Sequence, residues 1–216
     1  MNIPRLIYVM GIDGAGKSTV LEWLAKTLRD KGLPVEVRWL RFNHFFSKPL
    51  LGFCRLVGLT RYETVRGVRV GYHNFYRSRL VSWIFIVLQY LDALRIRWFW
   101  IAPRLRRGDR ILILDRFIYD ILVDVMVDTR ITDLDRHPLG KAFLKLLPES
   151  ALVLFVIRDK EKLLEARPES NVDRNFSSRM DLYLALSARH GLIPLQNNGD
   201  LESLFCEVAK RASIQR

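Results

Sequence analysis

The sequence predicts an α/β fold in which five short strands form a mostly parallel sheet with helices on both faces. Three observations carry this. Short, continuously apolar segments alternate with helical patterns, as a parallel sheet covered on both faces requires. A glycine-rich loop joins the first such segment to the first helical one. Half of the 216 residues are hydrophobic and 11% are aromatic, which supplies a substantial core and excludes a disordered chain.

The strands are expected at Leu6–Met10, 35–40, 111–114 (ending at Asp115) and Leu152–Ile157. A weaker fifth, 192–195, carries Pro194 and belongs at a sheet edge, where a missing N–H costs no ladder bond. Val20, Leu21, Leu24 and Leu28 recur at helical spacing, and Gly32 with Pro34 stops that helix. Leu201–Arg211 reads as a closing helix, and the whole chain, 1–216, as one domain. Within 80–102 the uncharged run is only 12 residues long before Asp92. A membrane span needs about 20, so a buried or partly buried helix is expected there.

The net charge is +12, and its distribution is uneven. Residues 38–110 hold 15 Lys and Arg against three acids, whereas the rest of the chain is neutral. Four of the five tryptophans lie in the same segment. Such a balance invites a nucleic acid, an anionic membrane surface or a small anionic substrate. Two distant cysteines, Cys54 and Cys206, exclude a disulfide-stapled module, and the N-terminus shows no signal-peptide pattern, so a cytoplasmic protein is expected. His44, His73, His137 and His190 have no metal-ligand spacing. The acids between Asp120 and Asp135 read as a solvated helix face.

The loop Gly11-Ile12-Asp13-Gly14-Ala15-Gly16-Lys17-Ser18-Thr19 fits G-x-x-x-x-G-K-[ST] between a strand and a helix. Glycines let the backbone N–H groups converge on phosphate oxygens, and the helix N-terminus adds positive potential. Lys17 is expected at the β/γ-phosphates of ATP and the Ser18 hydroxyl on Mg²⁺. The sheet and this loop together specify the three-layer fold of P-loop NTPases. Asp115, at the carboxyl end of its strand, is the expected carboxylate for Mg²⁺. Arg116 is suited to clamp a second phosphate.

That loop, followed by Asp115-Arg116-Phe117, resembles the P-loop and the D-R-[YF] motif of thymidylate kinases. Asp92 ahead of Pro103-x-Leu105-x-x-Gly108 is similar in spacing, and Asp173-Arg174, Arg179 and Tyr183 look like the family's lid and following helix. The resemblance covers 5–32 and 88–211. It implies transfer of the γ-phosphoryl of ATP to the phosphate of dTMP with Mg²⁺, Arg116 holding the acceptor phosphate and Asp13 facing the acceptor's sugar. Gly14 offers no side chain for the transition state, so Arg167 and Arg174 in a lid at about 166–179 are the implied donors. Arg41, Asp92, Arg95 and Phe117 join Asp13 and Arg116 on the implied acceptor side. The implied apolar helix also serves as a homodimer interface in related kinases.

Departures from the family gather on that acceptor side: Met10, Gln89, Ala93 and the segment 38–44 replace expected residues. Three function classes therefore stay open. They are a thymidylate-type nucleoside monophosphate kinase, a kinase for another phosphorylated or polyanionic acceptor, and an ATP-dependent protein bound to nucleic acid or a membrane surface.

Overall fold

The computed structural model describes residues 3–41, 43–65, 68–166 and 173–214. Strands β1 (Leu6–Met10), β2 (Val35–Trp39), β5 (Ile111–Asp115), β6 (Leu152–Ile157) and β7 (Pro194–Gln196) form one sheet in the order β2-β5-β1-β6-β7, every pair parallel. This is the three-layer arrangement of P-loop NTPases. β1 lies in the middle and every one of its residues is buried, as its LIYVM run requires. β2 reads VEVRW and lies at one edge, where its last three residues, Val37, Arg38 and Trp39, meet solvent. Pro194 opens β7 at the other edge, two residues later than expected.

Helices α1 (Lys17–Asp30) and α9 (Leu201–Arg211) match the sequence reading. α5 (Ile118–Thr129) follows β5, α6 (Pro138–Leu144) precedes β6, and α7 (Lys160–Ala166) with α8 (Phe176–Arg189) leads to β7. The stretch expected as a partly buried helix is α3 (Arg79–Ile96), which continues through a wide π turn at Arg97–Ile101 into α4 (Ala102–Arg107). Pro103 has no N–H to give the carbonyl one turn back, which accounts for the widening. Among the described residues no helix is long and apolar enough to cross a membrane.

Residues 38–110 also contain α2 (Lys48–Leu56) and an antiparallel hairpin, β3 (Thr60–Val65) with β4 (Val68–His73). Nothing in the sequence reading anticipated this hairpin. Its strands, TRYETV and VRVGYH, interleave charge and lack the apolar runs of the main sheet.

Candidate functional site

The fully buried β1 delivers the chain to Gly11 and the glycine-rich loop, which opens α1. Gly11 has φ 140°, and a Cβ there would overlap the carbonyl oxygen of Val156 on β6. Gly16 caps α1 in the left-handed region, φ 95°, against the side chain of Asn197. Asn197 Nδ2 also donates to the Ala15 carbonyl at 2.8 Å, so the residue after β7 braces the loop from below. Sequence reading missed Asn197, because nothing local marks a brace supplied from 180 residues away.

Lys17 is buried. Its Nζ donates to the Ile12 carbonyl at 2.7 Å and lies 3.7 Å from Asp13 Oδ1. Burial, then the neighbouring Arg116 cation, lowers its pKa from 10.5 to about 8, against the pull of nearby carboxylates. Two opposite pH effects follow. The free protein's affinity for a triphosphate is expected to fall about tenfold as pH rises through about 8 and one charge-assisted contact disappears. Between about 8 and 10.5 the unfolded chain binds a proton that the folded chain lacks, so this group's contribution to stability rises with pH. Calorimetric titration of a non-hydrolysable ATP analogue across this window reads the first effect. Arg116→Ala should move its inflection upward, and a flat profile would contradict the assignment.

β5 pairs with both β1 and β2, and the register sets Asp115 beside Val9 and Trp39 at the carboxyl ends of three strands. Asp115 Oδ1 is buried without a hydrogen-bond partner, and burial raises its pKa despite Arg116 and Lys17. A buried carboxylate oxygen without a donor among the described residues fits a hard divalent cation, and the Ser18 hydroxyl in the first turn of α1 is exposed and open to one. Among the described residues no cluster of three His, Cys, Asp or Glu forms a preassembled metal site. An ion arriving with a nucleotide takes most of its ligands from phosphate and water, so none is needed.

Arg116 follows with φ 64°, a left-handed backbone on a buried, branched-functional side chain. Its guanidinium reaches Asp13 Oδ1 through NH2 and donates through NH1 to Asp120 Oδ1 at 3.1 Å. Arg41, one step past β2 and Leu40, donates through NH1 to Asp13 Oδ2 at 3.2 Å. Its Nε and NH2 fork onto both oxygens of Asp124, each at 2.8 Å. Three cations, Lys17, Arg41 and Arg116, thus converge on the single carboxylate of Asp13 at the mouth of the phosphate loop.

Asp120, Asp124 and Asp128 occupy one row of α5. This corrects the expectation of a solvated acidic face: Asp120 is 0% exposed and Asp128 is buried. Asp120 accepts from Tyr8 Oη (2.6 Å), Tyr183 Oη (2.5 Å) and the Phe117 N–H (3.3 Å), besides Arg116. Burial raises the Asp124 carboxyl, but Arg41 and Arg179 outweigh it and hold it below its ordinary value. Burial and the Asp124 charge hold Asp128 well above the usual carboxylate range. The missed signal was compositional. IYDILVDVMVDT is otherwise apolar, so acids at four-residue spacing are buried, where Asp120 and Asp124 pair with arginines.

The remaining expected site residues lie elsewhere. Asp92 is buried, and its two oxygens take the N–H groups of Phe45, Phe46 and Ser47 and the Ser47 hydroxyl, at 2.6 to 3.1 Å. It caps the turn into α2 and has no oxygen left over for a base. Arg95 lies over the Phe45 ring at 4.9 Å, and the Phe117 ring is fully buried against Tyr8. Gln89 bonds Ser47 Oγ at 2.9 Å. Arg174 sits 3.8 Å over the Tyr72 ring and 3.7 Å from Glu63, engaged by the hairpin rather than by the Asp13 cluster. Arg179 pairs with Asp173 at 2.8 Å. Arg167 and the rest of 167–172 in the expected lid lie outside the described residues.

Beside the loop, at the carboxyl ends of β6 and β7, lies a cavity of about 320 Å³. Ile12, Phe155, Ile157, Met180 and Leu184 form its apolar wall, and Arg158, Asp159, Lys160 and Glu161 give it a charged one.

No family model matches the chain. A stretch of 37 residues is 67% identical to a protein described as thymidylate kinase from Nitrosomonas eutropha, and 60% identical over 37 residues to one so described from Nitrosomonas europaea. In both cases the match spans 17% of this chain and 17% of the relative's length. The similarity is to short segments of nucleotide kinases, in a chain with a parallel α/β sheet.

Proposed function

We propose that this chain is a Mg²⁺-dependent kinase of thymidylate kinase type, which transfers the γ-phosphoryl group of ATP to the phosphate of a nucleoside monophosphate, dTMP in the first instance. The observation that carries the reading is the convergence of Lys17, Arg41 and Arg116 on Asp13, between the phosphate loop and Asp115. The acceptor is already an anionic phosphate oxygen, so no general base is required, and positioning with charge neutralisation carries the catalysis. Backbone N–H groups of Gly14 to Thr19 cradle the donor phosphates, and Lys17 bridges toward the γ-phosphoryl group. Mg²⁺, held by Ser18 and Asp115, would neutralise the β- and γ-oxygens. Arg116 and Arg41 receive the acceptor phosphate in place of the Asp13 carboxylate. The cavity beside Ile12 suits the donor base by size, with one apolar wall and polar side chains around it.

A second reading, another phosphorylated acceptor, is favoured by one observation. Asp92 and Arg95, implied on the acceptor side, and Gln89, which replaces an expected residue there, all serve the loop 44–47. An acceptor screen separates the two: ADP release with Mg-ATP and dTMP supports the first, and release only with another nucleoside monophosphate or a sugar phosphate supports the second. In either case Arg116→Ala should raise the acceptor KM by about tenfold or more, with ATP affinity changed less than about threefold. Equal losses of both would contradict its placement at the acceptor phosphate.

A further inference from the structure

Asp128 lies in the last turn of α5 and is only 7% exposed. Among the described residues, no group hydrogen-bonds to its carboxyl or forms an ion pair with it. An acid in the last turn of a helix also opposes the helix dipole, so the position gains nothing there. A polar group desolvated without a partner weakens the fold, and its hydrogen-bonding capacity stays available to a ligand.

The turns of α5 before it show where that ligand would come from. Asp120 pairs with Arg116 and Asp124 with Arg41, so the two arginines assigned to the acceptor phosphate lie at successive turns of the helix. The side of that phosphate toward Lys17 belongs to the donor. The rest of the acceptor therefore leads away along α5, and one further turn, about 6 Å, reaches Asp128. Arg179 of α8, 3.6 Å from Asp124, flanks this path, and His73 at the end of β4 lies in the field of both. Arg130, 3.6 Å over the Tyr76 ring, closes the far end. Asp92 and Arg95, implied on the acceptor side, are engaged by the loop 44–47 and leave the base to be read elsewhere.

The state of the carboxyl identifies the ligand's chemistry. Burial, with the Asp124 charge behind it, holds Asp128 well above the usual carboxylate range. Despite its own burial, Asp124 is held below its ordinary value by Arg41 and Arg179. Across the interval between them Asp128 keeps its proton while Asp124 has lost its own. A neutral carboxyl presents an O–H donor and a C=O acceptor side by side in one plane. Its complement is an N–H beside a C=O, the lactam edge of thymine, uracil or guanine. A sugar hydroxyl matches only one half of that pair, and the Asp124 charge would repel a second phosphate.

We propose that Asp128 is a specificity-determining residue that hydrogen-bonds the N–H and C=O edge of the acceptor's base, and so selects a lactam nucleobase over a base-free sugar phosphate. The inference rests on Arg116 and Arg41 holding the acceptor phosphate. Calorimetric titration of dTMP into the full chain, without ATP, tests it apart from turnover. Asp128→Leu removes both hydrogen-bonding functions at similar volume and is expected to weaken dTMP binding by about tenfold or more. Asp128→Asn keeps one donor and one acceptor and should bind nearly as the wild type does. Deoxyribose 5-phosphate, which has no base, should bind the wild type and Asp128→Leu alike. In the wild type, methylation of dTMP at N3 should cause the same loss as Asp128→Leu, which tests the edge without any variant. The melting temperature of Asp128→Leu should hold or rise, because a desolvated and unpaired group is removed. Unchanged dTMP binding in Asp128→Leu overturns the proposal, as do equal losses for dTMP and deoxyribose 5-phosphate. A wild type that binds none of dTMP, dUMP and dGMP overturns it too. Binding of dTMP that depends on Asp128, with no ADP formed when Mg-ATP is added, upholds it and refutes the kinase reading instead.

Discussion

Lys17→Ala is expected to reduce ADP formation with Mg-ATP and the best acceptor by about 10³-fold or more. The side chain is already buried within the loop, held at 2.7 Å by the Ile12 carbonyl and facing Asp13. It therefore needs little reorganisation to meet a triphosphate, and no other described cation is placed to replace it there. Arg116 and Arg41 are committed to Asp120 and Asp124 on their far sides. Folding should not suffer, because removing Lys17 removes a desolvated cation that Arg116 already disfavours. The thermal melt of the variant, measured beside its turnover, checks this. Residual turnover within about tenfold of wild type would refute the phosphate-binding role.

Asp120→Ala is expected to cost about 3–5 kcal/mol of folding stability, because it strands buried partners rather than removing a surface charge. The carboxylate is fully buried and satisfies Arg116, Tyr8, Tyr183 and the Phe117 N–H just ahead of α5 at once. Without it, a buried guanidinium keeps only Asp13 as an ionic partner, and two phenol groups lose their acceptor. Asp120→Asn keeps the shape and one acceptor oxygen, so its loss should be smaller. Urea denaturation of the pair of variants reads the difference. A loss below about 1 kcal/mol for the alanine variant would show that Asp120 is not the centre of the network.

The parts of the fold legible in the sequence were those written in local pattern. β1, β6 and the flanking helices α1 and α9 are plain apolar runs or helical spacings. The phosphate loop is punctuated by glycines that no other residue can replace at φ 140° and 95°. The hairpin β3–β4 was not legible, because its strands alternate charge with aromatics and are stabilised by pairing with each other. Within the candidate site, Asp13, Lys17, Asp115 and Arg116 were found because they sit in or next to contiguous motifs. Arg41 was implied and lies among them. Asp92 and Arg95 were implied by position along α3, and Phe117 by the motif it ends, but their local duties in capping, covering a ring and filling the core are what the structure shows. Asp124 and Asn197 were invisible for the opposite reason: each acts on a residue more than 80 positions away.

Position 116 carries two demands that no single residue satisfies without cost. Its backbone occupies a conformation in which glycine would be relaxed and any side chain is disfavoured by about 1 kcal/mol. Its side chain must nonetheless be long, planar and permanently charged to span from Asp120 to Asp13. The pairing with the fully buried Asp120 more than offsets that strain, so the same guanidinium that faces Asp13 also holds the turn after β5 in its unusual conformation.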